Sequence, residues 1–266
     1  MKRVFEATCA AIGLLVFSPL LLLITIAIWS EDRNSPFFLG RRVAHRTGPD
    51  DERCFFMIKF RTMIFDAWKS GVSSTANSDR RITRVGTLLR RAKLDELPQL
   101  WNVLIGDMSL VGPRPQVEAD VTLYTNVEQR MLAVRPGITD LASIVFSDEG
   151  SILAGAKDTD LLYNQIIRPW KSRLALLYIE RGSVWTDMKV IALTLLGAIS
   201  RQRALAGVLK MLTAWDADPV LLQIASRQGA LVAWPPPGAA VVVTHYPKPT
   251  DHTEPPARSA GRANHA

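Results

Sequence analysis

Leu14 to Trp29 reads LLVFSPLLLLITIAIW, a run suited to lipid except for the Ser18-Pro19 pair at its centre. The wider stretch from Ala10 to Trp29 holds 20 uncharged residues. At about 1.5 Å per residue it forms a helix about 30 Å long, barely the thickness of a hydrocarbon core. Pro19 lacks an N–H and its ring meets the carbonyl four residues back, so a helix bends there. Ser18 can return a hydrogen bond to the freed backbone, which hydrocarbon would leave unsatisfied. Each arm is then about ten residues, or about 15 Å, half a bilayer. Two such arms can enter and leave through one face as a re-entrant helix. A kinked single-pass helix is the plain alternative, and the residues alone leave both open. Lys2 and Arg3 precede the stretch, and Arg33, Arg41, Arg42 and Arg46 follow it. Positive flanks favour the cytoplasmic side, so either topology predicts a cytosolic body. A cleaved signal peptide reads poorly, because the apolar region is too long and no small-x-small site follows.

Outward from that segment, the 266 residues allow one sizeable domain with appendages or two small ones. Lys and Arg outnumber Asp and Glu by 32 to 25, a formal charge of +7. That excess suits an anionic partner: nucleic acid, a phosphorylated small molecule or an acidic membrane face. The two cysteines, Cys9 and Cys54, fit neither a disulfide framework nor a zinc spacing, which predicts a reducing compartment.

The pattern predicts an α/β chain, mostly α with short strands. SPFFLGRRVAHRTG (from Ser35) and CFFMIKFRTM (from Cys54) read as strands, and KSGVSSTANSDRR (Lys69–Arg81) as a loop. A helix follows, then a second beginning near Asp95, a Gly106-Asp107 turn, a short strand and a proline-braced loop. Val117–Val134 reads as helical, Arg135–Phe146 as strand-like, and about 158–199 as a long helical region. Ser183–Ile199 is strongly apolar, but Asp187 and Lys189 leave about ten uncharged residues, too few to span. It reads as a helix lying on the membrane interface or as an ordinary amphipathic core helix. Residues 201–233 extend as amphipathic helix. Residues 234–266 are proline-rich and predicted disordered.

Candidate chemistry centres on KLDELPQLWNVL, from Lys93. Pro98 belongs in a first helical turn, placing Asp95 near a helix N-terminus, where free N–H groups keep an anion charged. An ionised Asp95 could serve as a nucleophile or a metal ligand, and Glu96 could hold a proton or orient its neighbour. A bare Asp-Glu pair at a helix start is more often a cap and a solvated side chain. Its surroundings argue otherwise. Six basic residues, Arg80, Arg81, Arg84, Arg90, Arg91 and Lys93, precede it, Lys59 and Arg61 lie on the second strand, and GPRP presents Arg114 between two prolines. Cations enclosing one carboxylate pair beside a membrane segment point to phosphoryl chemistry with a divalent metal. No nucleic-acid-binding motif and no Walker or Gly-x-Gly-x-x-Gly loop occurs, so neither nucleic acid nor ATP is expected. The four histidines are scattered, and no role is assigned to them.

IKFRTM from Ile58, SDRRITRVGTLLRRAKLDELPQLWNVLIGDMSLVGPRP from Ser78 and RPGIT from Arg135 resemble the bacterial sugar transferases, the small monotopic polyprenol-phosphate phosphoglycosyl transferases. The resemblance covers roughly residues 1–200. It implies that Ser18-Pro19 bends a re-entrant helix over residues 1–30, with a cytosolic transferase domain over 31–200. It implies transfer of a phospho-sugar from a UDP-sugar to undecaprenyl phosphate, with release of UMP, at the bacterial inner membrane. Asp95 becomes the nucleophile of a covalent phosphosugar intermediate and the Mg2+ ligand, with Glu96 its partner. Lys59, Arg61, Arg84 and Arg114 are implied to contact donor phosphates. Membrane lipids are the surrounding partner, and a homodimer is compatible with the sequence. Two departures stand out. The common branch continues RPGITGLAQV, whereas this chain has Asp140 and LASIVF, near the expected sugar position. Residues after about 200 have no counterpart and are expected to be dispensable. A non-catalytic surface protein on a degenerate transferase fold is the competing class.

Overall fold

The computed structural model describes residues 2–44, 53–67, 75–76 and 79–246. Helix α1 (Lys2–Asp32) is one uninterrupted helix with Pro19 inside it. Its 31 residues make it about 46 Å long, well beyond the apolar stretch itself. Pro19 cannot donate to the carbonyl of Leu15, and Ser18 Oγ donates to that oxygen instead, at 2.8 Å. Among the described residues, α1 is the one helix long and apolar enough to cross a membrane, and most of its apolar side chains are exposed.

Both ends of α1 are tied to the same body. Near the start, Arg3 donates to the carbonyls of Val103 and Leu104, the latter at 2.6 Å. The buried Glu6 accepts from the Ser109 hydroxyl and the Leu110 N–H. Lys2 pairs with Asp187 at 2.8 Å. At the far end Asp32 pairs with Arg61 at 2.6 Å, and Glu31 accepts from the Val85 N–H at 3.4 Å.

Strands β1 (Phe37–Val43) and β2 (Cys54–Phe60) pair antiparallel, from Phe37↔Phe60 to Val43↔Cys54, as the apolar runs predict. The predicted loop over Lys69–Arg81 lies mostly outside the described residues. Helix α2 (Arg84–Ala92) is capped by Thr83, whose hydroxyl accepts from the Gly86 N–H. It ends at Lys93, which adopts a left-handed φ of 57°. A 3-10 turn (Leu94–Glu96) follows, and then α3 (Gln99–Ile105), which packs along α1.

Strand β3 (Ser109–Val111) pairs in parallel with β4 (Gly137–Thr139). At their ends the GPRP and RPGIT loops cross at two glycines. A Cβ on Gly137 would lie 2.1 Å from the Gly112 nitrogen, so a side chain there is sterically forbidden. Between these strands the expected helix over 117–134 is broken into α4 (Glu118–Val121) and a 3-10 segment (Glu128–Ala133). The strand-like reading of 135–146 holds only for β4. Asp140 then starts α5 (Leu141–Val145) with a reciprocal Asp140–Ser143 capping box, overriding the β-propensity of Ile144 and Val145.

The long helical region is four helices: α6 (Glu149–Ile152), α7 (Thr159–Ile166), α8 (Arg168–Arg181) and α9 (Val184–Ile199). Pro169 fits the first turn of α8, and Gly182 with the cap Ser183 separates α8 from α9. Helices α10 (Arg201–Ala214) and α11 (Pro219–Ser226) complete the fold. The main core gathers Val145, Ile167, Trp170 and Leu174 with Val208, Leu212, Leu221 and Ala225. Residues 201–233 are therefore core material, which corrects their reading as a dispensable extension.

The disorder expected from residue 234 onward does not hold for 234–246. Trp234 packs on Trp170 with ring centroids 5.3 Å apart, and its backbone N–H donates to Gln165 O at 3.0 Å. Gln165 Nε2 donates to Val243 O at 2.9 Å, Arg173 donates to Pro235 O at 3.1 Å, and Tyr246 is buried. Proline-rich backbone has little freedom to lose, so a few aromatic and hydrogen-bond anchors suffice to order it. The remainder of that tail, 247–266, lies outside the described residues.

Candidate active site

An asparagine builds the site. Asn102 on α3, 1% exposed, accepts from the Ile58 N–H and donates to the Phe56 carbonyl of β2, both at 2.9 Å. It splices α3 onto the strand much as another strand would. That sets Lys59 against the 3-10 turn carrying Asp95 and Glu96.

Lys59 Nζ lies 3.0 Å from Glu96 Oε1. Arg114, aimed by the glycine crossing, donates with both nitrogens to the Glu96 carboxylate and with Nη1 to Ile138 O. Glu96 is partly buried, and although desolvation acts to raise its carboxyl, Arg114 and Lys59 hold it well below the usual carboxylate range. Conversely, Glu96 raises Arg114 further. Burial lowers Lys59, while the charges of Glu96 and Asp95 act against that. Of the two roles read for Glu96, holding a proton or orienting its neighbour, its contacts bear on the second, since its carboxylate binds two cations.

Asp95 is 8% exposed and forms no hydrogen bond or ion pair among the described residues. It sits in the 3-10 turn, ahead of α3, so it is not held ionised by that helix's N–H groups as the sequence predicted. Burial pushes its carboxyl up, with Lys59, Arg90 and Lys93 acting in the opposite direction. The result is a desolvated carboxylate facing cations and bonded to none of them, the condition of an available nucleophile or ligand.

The other predicted cations divide. Arg61, 6% exposed, spends its guanidinium on both Asp32 oxygens, on Ser35 O at 2.6 Å and on Met63 O at 3.3 Å. It forms a strut between the end of β2 and the end of α1. Arg84 is exposed at the start of α2 and does not join the pair. Arg90, passed over among the six basic residues, is the α2 arginine whose charge reaches Asp95. Its Nε donates to Thr62 Oγ1 at 2.9 Å.

No group of three or more His, Cys, Asp or Glu side chains able to hold a metal occurs among the described residues. A dedicated all-protein cage is therefore absent there. Mg2+ characteristically takes one or two carboxylates and completes its shell with waters and substrate phosphates. The unbonded Asp95 carboxylate fits that mode, whereas Glu96 is consumed by its two cations.

Fold and site together define a helical group-transfer enzyme whose carboxylate centre leans on one long apolar helix. The model of the family described as bacterial sugar transferase matches residues 1–201, and the chain belongs to that family. It is 34% identical over 206 residues to the UDP-glucose:undecaprenyl-phosphate glucose-1-phosphate transferase of Caulobacter vibrioides, covering 76% of this chain and 71% of that one. It is 38% identical over 160 residues to the exopolysaccharide production protein ExoY of Rhizobium meliloti, covering 54% of this chain and 68% of the relative. To the undecaprenyl-phosphate glucose phosphotransferase of Komagataeibacter xylinus it is 37% identical over 201 residues, covering 73% of this chain and 35% of that longer protein.

Proposed function

We propose that the chain transfers a phospho-sugar from a UDP-sugar to undecaprenyl phosphate, making a polyprenol-diphosphate-sugar and UMP, the first membrane step of surface glycan assembly. The carrying observation is the buried, unbonded Asp95 carboxylate, within reach of the charges of Lys59 and Arg90 and next in sequence to the Glu96 paired with Arg114. Relatives whose names state glucose-1-phosphate transfer to undecaprenyl phosphate support the same reading. In the first half-reaction an Asp95 oxygen attacks the sugar-linked phosphorus, the bond to the UMP oxygen breaks, and UMP leaves. In the second, a polyprenol-phosphate oxygen attacks the same phosphorus, and Asp95 departs as a carboxylate. Arg90 and Lys59 offset charge as Asp95 and the donor phosphates approach, while Glu96 keeps Lys59 and Arg114 in place. Asp95 would hold Mg2+, which when bound would supply charge neutralisation to the donor diphosphate.

Membrane attachment through α1 follows from its exposed apolar surface. Two observations support the re-entrant reading and a cytosolic body: both α1 ends bond to one body, and charged side chains flank both ends. Helix α9 exposes Val184, Trp185, Met188, Leu195 and Ile199, which suits an interfacial helix. The test is UMP release by the purified protein from UDP-sugars, with Mg2+ and undecaprenyl phosphate. Release from at least one donor is expected, together with a loss of at least about 10³-fold in Asp95→Asn. A fully active Asp95→Asn variant contradicts the mechanism.

A further inference from the structure

Asp95, Gln99 and Asn102 recur at spacings of four and three along the 3-10 turn and α3, and all three are buried. Between the two elements Leu97 and Pro98 keep the backbone helical, with φ of -54° and -61°, so the three side chains share one face. They are served unequally. Asn102 spends its amide on the Ile58 N–H, the Phe56 carbonyl and Asp107. Gln99 stands between the other two and is 0% exposed, yet neither its Oε1 nor its Nε2 has a hydrogen-bond partner among the described residues. Burying an amide unpaired is costly, so one kept at such a position calls for a role outside packing. One turn back on the same face is Asp95, whose carboxylate is unbonded too. A glutamine and an aspartate four residues apart on a helix are within reach of a hydrogen bond.

We propose that Gln99 is a positioning residue for Asp95: its Nε2 donates to the carbonyl oxygen of Asp95 once the other oxygen carries the phospho-sugar. The inference rests on the covalent reading given under the proposed function. When the polyprenol-phosphate oxygen attacks the phosphorus, the bond from phosphorus to Asp95 breaks and its electron pair returns to the carboxyl group. Negative charge then spreads over both Asp95 oxygens, and a hydrogen bond to the carbonyl oxygen strengthens as it does. The attack of the free carboxylate gains nothing from that bond, because the charge is then leaving the oxygens. Gln99 thus assists the departure of Asp95 and not its attack.

The test follows the two half-reactions separately in the full chain and in Gln99→Met, with Mg2+ and a panel of UDP-sugars, reading the phosphosugar adduct by intact mass. Methionine matches glutamine in length and carries no donor, so the variant removes two unpaired buried atoms and is expected to hold or raise the thermal midpoint. Adduct formation without lipid is expected to stay within about threefold of wild type, and the half-saturating UDP-sugar concentration within about twofold. Consumption of the adduct by added undecaprenyl phosphate is expected to slow about tenfold to hundredfold, the range for a hydrogen bond to a charged group, so that adduct accumulates. A lowered midpoint with equal loss in both steps would make Gln99 a packing residue and overturn the inference. Slower formation alone, or wild-type rates in both steps, overturns it as well. Gln99→Leu is the second variant, and failure of both to fold counts against the inference, since an apolar side chain should be tolerated where the amide bonds to nothing. A wild type that releases UMP once lipid is added but never forms an adduct overturns the covalent reading, and the inference with it.

Discussion

At the residue scale, the site separates two neighbouring carboxylates by their partners. Glu96 is neutralised by Lys59 and Arg114, whereas Asp95 is buried among charges without a bond to any. Glu96→Gln should therefore loosen Lys59 and Arg114 and lower kcat/KM by about 10²-fold or more, with Asp95 still present. A loss below threefold in steady-state UMP release would mean the pair does not need its anion. Arg61→Lys separates strut from ligand. With the guanidinium bound to Asp32, it should lower the thermal midpoint while leaving donor KM within about twofold; a tenfold rise in KM with unchanged stability would restore a phosphate role. The Arg61 hydrogen bonds hold Asp32 at about 2, below its ordinary 3.8. A depressed folded-state value stabilises above the unfolded value and loses that contribution as pH falls from about 4 through about 2. Asp32 is about one-third exposed, and solvent screening limits the contribution to about 1 kcal/mol. Acid titration of the thermal midpoint should show this step, and Asp32→Asn should remove it. The sequence disclosed the Asp95–Glu96 pair and its cations but not how they are divided. Which cation meets which carboxylate depends on Asn102 reaching back 44 and 46 positions to β2, a contact no local pattern records.

At the element scale, the strand pair β1–β2, helix α2 and the left-handed Gly106 turn follow from local pattern and chemistry. Elements whose boundaries are set by a cap or a crossing do not. Asp140 turned an apolar β-like run into α5, and the Lys93 reversal put a 3-10 turn where a helix start was expected. Helix α1 was legible as a long apolar segment, but what fixes its ends was not. Arg3 read as a flanking charge, yet with Glu6 it clamps the start of α1 to α3 and β3. The clamp predicts that Arg3→Ala with Glu6→Ala releases the N-terminus even with Pro19 intact. A Val4→Cys reporter, in a chain lacking Cys9 and Cys54, should react with an impermeant maleimide only from the cytosolic side until the clamp is removed. Unchanged labelling after its removal would leave Pro19 as the determinant of topology.

At the scale of the whole molecule, the family match ends at residue 201, but the packing does not. Val208, Leu212, Leu221 and Ala225 share the core with Trp170 and Leu174, and the 234–246 strap covers Trp170. Removing that much buried apolar surface costs several kcal/mol, comparable to the stability of a domain. A chain ending at Ile199 should fail to give a folded protein, whereas one ending at Tyr246 should match the full chain in thermal midpoint; equal midpoints for both truncations would show the core to be complete without α10 and α11. Composition concealed this, because proline-rich sequence reads as disorder until Trp170 and Gln165 are seen to receive it. In the proposed reaction, the body, α1 and α9 would hold one carboxylate where a water-soluble nucleotide sugar can meet a lipid phosphate. The most direct test is intact-mass analysis of the purified full chain after incubation with Mg2+ and a panel of UDP-sugars, without lipid acceptor. A phosphosugar adduct from one donor, mapped to Asp95 and absent in Asp95→Asn, is the predicted result. No adduct from any donor, with UMP appearing only once undecaprenyl phosphate is added, would contradict the covalent account in favour of direct transfer.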